Sequence, residues 1–257
     1  MTIFYFTSTG NCLAVAKRIG GTMISIPQVV DADNLHYKDD VIGVVFPIYG
    51  FKTPKMVGRF LDKVKFEADY TFVIGTYGNL PGAAMMNVQK QVLAKGNRFD
   101  YANHLLMVDN FLPIFEMDAQ RRKLPKKKVE ENLTVILDDI KSRKHKQMTA
   151  WLGTRILSAV IAAGTVSDNY AKKFTINNSY NKCGICTKVC PAKNIVVADN
   201  VSFGGFCEGC LACTHLCPQN AIHLKGQRSE KRWRNPEVSL NEIVSSNNRN
   251  TDKHGVE

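Results

Sequence analysis

Seven of the chain's eight cysteines lie between residues 183 and 217, and no other feature constrains the fold as strongly. The run "CGICTKVCP" carries Cys183, Cys186 and Cys190 into Pro191, and "CEGCLACTHLCP" carries Cys207, Cys210, Cys213 and Cys217 into Pro218. Moving the first run forward by 27 residues lays its cysteines on Cys210, Cys213 and Cys217, and lays Tyr180 on Cys207. The segment is an internal repeat in which one copy lacks its first cysteine. The opening residues "MTIFYF" read as a strand, not as a basic-then-apolar leader, so the expected compartment is cytoplasmic. Clustered cysteines in such a chain argue for metal thiolates over disulfides.

The spacing Cys-x2-Cys-x2-Cys-x3-Cys-Pro is that of iron–sulfur ligation. Three cysteines at steps of three, on a loop wrapped around a cluster, direct sulfur to three different irons. The fourth, followed by proline, starts a helix leading to the other cluster, so in a tandem pair it crosses over. Crossing assigns Cys190, Cys207, Cys210 and Cys213 to one four-iron (4Fe–4S) cluster. It leaves Cys183, Cys186 and Cys217 to a second, with Tyr180 where a fourth ligand belongs. Three outcomes are open there: a 3Fe–4S cluster, a 4Fe–4S cluster with a non-cysteine ligand on one iron, or an empty site. The non-cysteine ligand is hydroxide, a small molecule, or an oxygen of Tyr180 or Asn181. Zinc or disulfides are the competing readings, and the dense, repeated spacing disfavours both.

The N-terminal part alternates short apolar runs with helical patterns. Strands are expected at 2–6, 22–26, 41–46, 70–76 and 104–109, and helices near 11–20, 54–64 and 82–95. Continuous apolar strands joined through helices imply a parallel sheet buried on both faces, with ligands at the carboxyl ends of the strands. The loops after residues 6, 46 and 76 therefore carry the interest. "TSTGNC" is neither a P-loop nor a Gly-x-Gly-x-x-Gly turn. Its hydroxyls and helix N-terminus suit a phosphate, and also suit a plain helix N-cap. "PIYGFKTP" and "YGNLPG" each place a tyrosine beside a glycine at a strand end. Each tyrosine alone is an ordinary loop aromatic. Together with the first loop they describe a site for flavin mononucleotide (FMN).

"TSTGN" resembles the phosphate loop of the flavodoxins. With "FPIYGFKTP", "TYGNLPG" and the cysteine repeat, the chain resembles the flavodoxin–ferredoxin fusion proteins (EFR-type ferredoxins) over nearly all of residues 1–245. The resemblance implies an α/β fold, a flavodoxin-like doubly wound parallel sheet followed by a small α+β bacterial-ferredoxin-like domain. It implies FMN phosphate at Thr7, Ser8, Thr9, Gly10, Asn11 and Cys12, and the flavin ring near Pro47, Tyr49, Gly50, Thr76, Tyr77 and Gly78. Two positions depart from the family: Cys12, where threonine or serine is usual, and Tyr180, where cysteine is usual. The implied divisions are 1–148 for the FMN-binding domain, 149–173 for a linker helix, 174–226 for the iron–sulfur domain and 227–257 for a polar, peripheral tail. Within that tail, "NPEVSLNEI" is expected to dock as one helical turn.

Of the net charge of +11, a local +6 sits in residues 121–150, from ten Lys/Arg against four Asp/Glu. A charged helical region over 126–147 reads as a solvated face or as a docking surface for acidic redox proteins. No aromatics interleave with its charge before Trp151, so nucleic acid is not expected. The apolar segment 151–163 is too short for a membrane span and is expected to pack between domains. The leading function is electron transfer between FMN and iron–sulfur clusters, coupling one-electron and two-electron redox partners. The alternatives are an oxidoreductase acting on a small substrate and a cluster-based redox sensor. No acid–base constellation supports an enzyme, and His215, between two ligands, reads as solvated rather than catalytic.

Overall fold

Branched and aromatic side chains fill both faces of the N-terminal sheet, which is why its strands read as unbroken apolar runs. The computed structural model describes residues 1–165, 170–198 and 200–248. Strands β1 (Thr2–Tyr5), β2 (Thr22–Ser25), β3 (Val41–Pro47), β4 (Tyr70–Tyr77) and β5 (Tyr101–Leu106) form one sheet in the order β2-β1-β3-β4-β5. Every pairing is parallel; Phe4 lies opposite both Ile24 and Val44. This is the flavodoxin-like doubly wound order, whose ligand crevice opens at the switch between β1 and β3.

The helices of this part are α1 (Asn11–Ile19), α2 (Lys55–Lys63), α3 (Ala84–Ala94), α4 (Met117–Lys123) and α5 (Val129–Lys141). One face of the sheet is covered by α1 and α5, with Leu13, Leu133 and Ile136 in the same core as Ile3, Phe72 and Tyr101. The other is covered by α2 and α3, with Phe60 and Val88 in one core with Phe4, Val44 and Val73. Each such side chain contributes roughly 1.5–3 kcal/mol when fully buried.

Two expected elements shift. The fifth strand begins at Tyr101 and not at residue 104, because Tyr101 is fully buried and pairs with Phe72. Its hydroxyl donates to Asp139 Oδ2 at 3.0 Å and accepts from Asn103 Nδ2 at 2.7 Å, so the polar Asn103 is tolerated inside the strand. The charged region 126–147 is broken at Leu124–Lys127, a 3-10 turn holding Pro125, and at Lys128, which is left-handed with φ 49°. Past Lys141 the chain extends, and Lys146 forms a bridge alongside Tyr101.

The segment expected to pack between domains forms α6 (Leu152–Thr165) and turns its large side chains outward. Among its described side chains Ser158 and Ala162 are buried, and Ser158 Oγ accepts the N–H of Ala83 at 2.9 Å, satisfying a donor at the start of α3.

Beyond it lie strands β6 (Phe174–Ile176), β7 (Ile195–Val197), β8 (Val201–Phe203) and β9 (Ile222–Leu224), paired antiparallel as β6–β9 and β7–β8. Helices α7 (Ile185–Val189) and α8 (Ala212–His215) pack on each other. The 27-residue repeat is visible in the backbone. Positive φ recurs at Lys182 and Gly209, at Gly184 and Leu211, and at Lys193 and Asn220. Asn194 N–H donates to Cys190 Sγ and Ala221 N–H to Cys217 Sγ, both at 3.3 Å.

The segment expected as a peripheral tail is instead a strap. Residues 228–247 run back along the sheet domain: Arg228 N–H donates to Leu112 O and Asn235 N–H to Thr9 O, both at 2.8 Å. The segment ends in helix α9 (Leu240–Asn247), started by a capping box between Ser239 and Glu242. Trp233, Val238 and Ile243 are buried. Asn247, fully buried, donates to Thr7 O at 3.0 Å and to Val189 O at 3.1 Å, tying the first loop to α7. The polar composition misleads because its few apolar residues and asparagines are the ones that dock.

Candidate functional site

Thr7 to Gly10 leave β1 at the switch point and feed α1, whose first turn has neither a side-chain cap nor an acidic residue. Its first N–H groups are thus open to an acceptor from outside the helix. Gly10 bends the chain with φ 99°, and an added Cβ would stand 3.0 Å from Val238 Cβ, so only glycine fits beneath the strap. Around this loop opens a cleft of about 360 Å³.

Of the expected flavin-site residues, Thr7, Ser8, Thr9, Asn11, Cys12, Pro47, Tyr49, Gly50, Thr76, Tyr77 and Gly78 line this one cleft. Gly10 does not; it faces the strap. Ser8 Oγ accepts from the Tyr49 hydroxyl at 2.9 Å, and Thr9 Oγ1 accepts from Asn110 Nδ2 at 2.6 Å. Each hydroxyl therefore keeps its own proton to donate, which suits an anion. Asn11 Oδ1 is taken by Trp233 Nε1–H and Asn235 Nδ2–H, both at 3.2 Å, so its amide nitrogen remains as the donor. Burial holds the Tyr49 phenol well above its usual range, keeping it a neutral donor. Burial likewise pushes the Cys12 thiol up to about 12, and its sulfur lies 3.1 Å from Thr76 Oγ1.

Sequence reasoning missed Asp109, Asn110 and Lys127. Asp109 and Asn110 line the cleft, and the Asp109 backbone and side chain stand 2.3–2.4 Å from where a Gly78 Cβ would be. Burial raises the Asp109 carboxyl pKa. Lys127 is buried, and its ammonium donates to Gly78 O and to Met107 O, the latter at 2.6 Å. Nothing distinguishes it in sequence from Lys126 and Lys128 beside it.

Gly209, Cys210 and Leu211 also line the cleft, so the cysteine repeat forms one of its walls. The cysteines fall into two electrostatic groups. Burial, then repulsion from Cys190 and Cys207, drives Cys210 and Cys213 well above the usual thiol range, with Cys186 of the other group also acting on Cys213; burial, with Cys190 adding to it, takes Cys207 to about 11. Cys186, likewise raised to about 11 by burial, has Cys183 and Cys217 as its charged neighbours. Tyr180 faces this second group; burial and the thiols at Cys186, Cys183 and Cys217 raise its pKa. Its hydroxyl oxygen is buried with no hydrogen-bond partner among the described residues. Also among the described residues, no three His, Cys, Asp or Glu side chains converge closely enough to hold one metal ion.

His215 is buried, not solvated. Its Nε2–H donates to Asn110 O at 2.7 Å while Nδ1 accepts the Trp233 N–H at 3.1 Å. Burial lowers its pKa to about 4, so it is a neutral brace joining the repeat, the strap and the cleft.

No protein-family model matches the chain, and no curated protein matches it. Solved structures resemble part of it, two of them as follows. One, provisionally named a flavoprotein, from Bacteroides uniformis ATCC 8492, is 16% identical with a TM-score of 0.33, over 47% of this chain and 95% of that one. The other, named likewise, from Bacteroides eggerthii DSM 20697, is 16% identical with a TM-score of 0.29, over 47% and 92%. Similarity at this level assigns no function.

Proposed function

We propose that this chain is an electron-transfer protein that holds FMN in the cleft and iron–sulfur clusters on the cysteine repeat. The observation that carries the reading is Cys210, which belongs to the repeat and lines the cleft built by the sheet's loops. A cofactor in the cleft therefore lies against the loop that would hold a cluster.

The donor sets fit both groups. Ser8 and Thr9, with protons free to donate, and the uncapped start of α1 would hold a phosphate. Tyr49 and Tyr77 would flank the ring, with Gly50 and Gly78 exposing backbone beside it. Cys190, Cys207, Cys210 and Cys213 would hold a 4Fe–4S cluster, and Cys183, Cys186 and Cys217 a second cluster with Tyr180 at its open side. N–H groups of Asn194, Gly209 and Ala221 donate to Cys190, Cys207 and Cys217 sulfurs at 3.3 Å, stabilising thiolates and tuning any bound cluster. When bound, FMN exchanges one or two electrons and the clusters exchange one, which couples one-electron to two-electron partners. Met107, Val108, Phe111 and Leu211 supply apolar wall that excludes water. The basic residues 121–146 steer acidic redox proteins, an attraction that weakens with salt.

Iron, sulfide and flavin measured together on anaerobically purified protein test the proposal. One flavin and about seven or eight irons per chain are expected. Iron without flavin overturns the cleft assignment, and flavin without iron overturns the cysteine assignment.

A further inference from the structure

Lys127 is a buried ammonium placed where two strands of the sheet end. Gly78 follows β4 and Met107 follows β5, and the ammonium donates to both of their carbonyl oxygens. The strand ends are already joined by the Met107 N–H, which donates to Tyr77 O at 2.7 Å. A neutral donor would satisfy the two carbonyls without the cost of taking a charge out of water. Yet the flanking Lys126 and Lys128 are exposed, and the 3-10 turn at Leu124–Lys127 turns this one lysine inward. Among the described residues no carboxylate is in ion-pair contact with it; burial lowers its pKa, and Asp109 offsets that only in part.

The charge bears on the cleft. Gly78 and Met107 line it and Lys127 does not, so the ammonium lies behind the wall. In a trans peptide the C=O and the N–H point in opposite directions. Turning the Gly78 and Met107 oxygens to Lys127 therefore turns the Asn79 and Val108 N–H groups away from it. Asn79 and Val108 also line the cleft, and neither N–H has an acceptor among the described residues. Val108 is buried, and a buried N–H without an acceptor is rare in native proteins. Charge and peptide dipoles thus act in the same sense and give this wall a positive potential. Among the described residues lining the cleft there is no Lys, Arg or His, and Asp109 is the one carboxylate. Burial raises the Asp109 pKa, and its Oδ1 accepts the Phe111 N–H at 3.1 Å.

We infer that Lys127 is a positioning residue that makes the cleft favour a ligand's more negatively charged form, and so makes a flavin held there easier to reduce. The inference rests on the proposed FMN site, with its ring against Gly78. Two electrons delivered through the proposed clusters and one proton from water leave the ring with one further negative charge. A fixed cation behind the wall stabilises that charge. Buried as it is, the ammonium acts through a low dielectric and is little screened by salt.

The test is the reduction potential of FMN bound to the full chain, measured without oxygen by equilibration with reference dyes. Lys127→Gln removes the charge and keeps an N–H donor, whereas Lys127→Met removes both. Each should weaken binding of reduced FMN at least about tenfold more than binding of oxidised FMN, which lowers the two-electron potential by about 30 mV or more. If Lys127→Met fails to fold, Lys127→Gln still reads the charge. Exposed Lys126→Gln should leave the potential unchanged, so that net charge alone is separated from the buried ammonium. Equal weakening of both flavin forms by Lys127→Gln, with the potential unmoved, overturns the inference and leaves Lys127 a structural brace. A wild-type chain that binds no flavin overturns the cleft assignment itself, and this inference with it.

Discussion

The indole N–H of Trp233 donates to Asn11 Oδ1 across 3.2 Å, joining two residues at opposite ends of the chain. One belongs to the first loop of the sheet domain and the other to the C-terminal strap. The same oxygen accepts from Asn235, and the Trp233 backbone N–H is held by His215. The geometry of the cleft's first loop is therefore set from behind by residues that follow the cysteine repeat.

Trp233→Phe keeps most of the buried ring and removes the Asn11 bond. A loss of about 1 kcal/mol in stability is expected, with weaker flavin binding. Trp233→Ala also opens a cavity and should cost about 3–5 kcal/mol. Denaturant unfolding and flavin titration check both.

The Cys12 thiol, buried and pushed up to about 12, holds almost no thiolate at neutral pH. Alkylation of the folded chain near neutral pH should leave Cys12 unmodified, and unfolding should expose it. Mass spectrometry of the peptide before and after denaturation reads this directly.

If the proposed iron–sulfur assignment holds, Tyr180→Cys completes a set of four with Cys183, Cys186 and Cys217. The variant should retain iron against a chelator on the order of tenfold longer than the wild type, since a completed thiolate set is harder to strip. Tyr180→Phe removes an oxygen that has no partner among the described residues, so its unfolding midpoint should be unchanged. Equal iron retention by Tyr180→Cys and wild type would count against an open side at that cluster.

Lys127→Met leaves Gly78 O and Met107 O without their buried ammonium donor. A loss of about 1.5–3 kcal/mol is expected, and flavin should bind more weakly because Gly78 borders the cleft. Exposed Lys126→Met should change neither, which separates the contact from the charge.

Glu242 is held down to about 2 by its bond to Lys17, then by the Ser239 N–H and hydroxyl of the capping box. Its folded pKa lies below its ordinary 4.5, so its stabilisation is present above that value and is lost as pH falls toward about 2. The carboxylate is largely solvent-exposed, which limits the contribution to about 1 kcal/mol or less. Hydrogen exchange of α9 should quicken over that acid window in the wild type. In Glu242→Gln the acid-induced change should be smaller.

The alternation of apolar runs with helical patterns led to a parallel doubly wound sheet because burial on both faces demands unbroken hydrophobic strands. The three loops at the cleft were likewise legible, since a strand's carboxyl end follows from its position in the chain. The 27-residue cysteine repeat was legible as an iron–sulfur pattern because ligand spacing is a local property; its cluster assignments stand as proposals. Long-range packing was not legible. Lys127 sits in a run of lysines, and only the fold selects the one whose ammonium reaches two buried carbonyls. His215 looked solvated until Asn110 and Trp233 closed on both ring nitrogens. The strap looked like a tail because few of its residues are apolar, yet Trp233, Val238, Ile243 and Asn247 are buried against elements distant in sequence. For α6 the pattern marked a helix and its hydrophobicity suggested burial. Its orientation is held by Ser158, whose hydroxyl accepts the Ala83 N–H at the start of α3, a contact far apart in sequence.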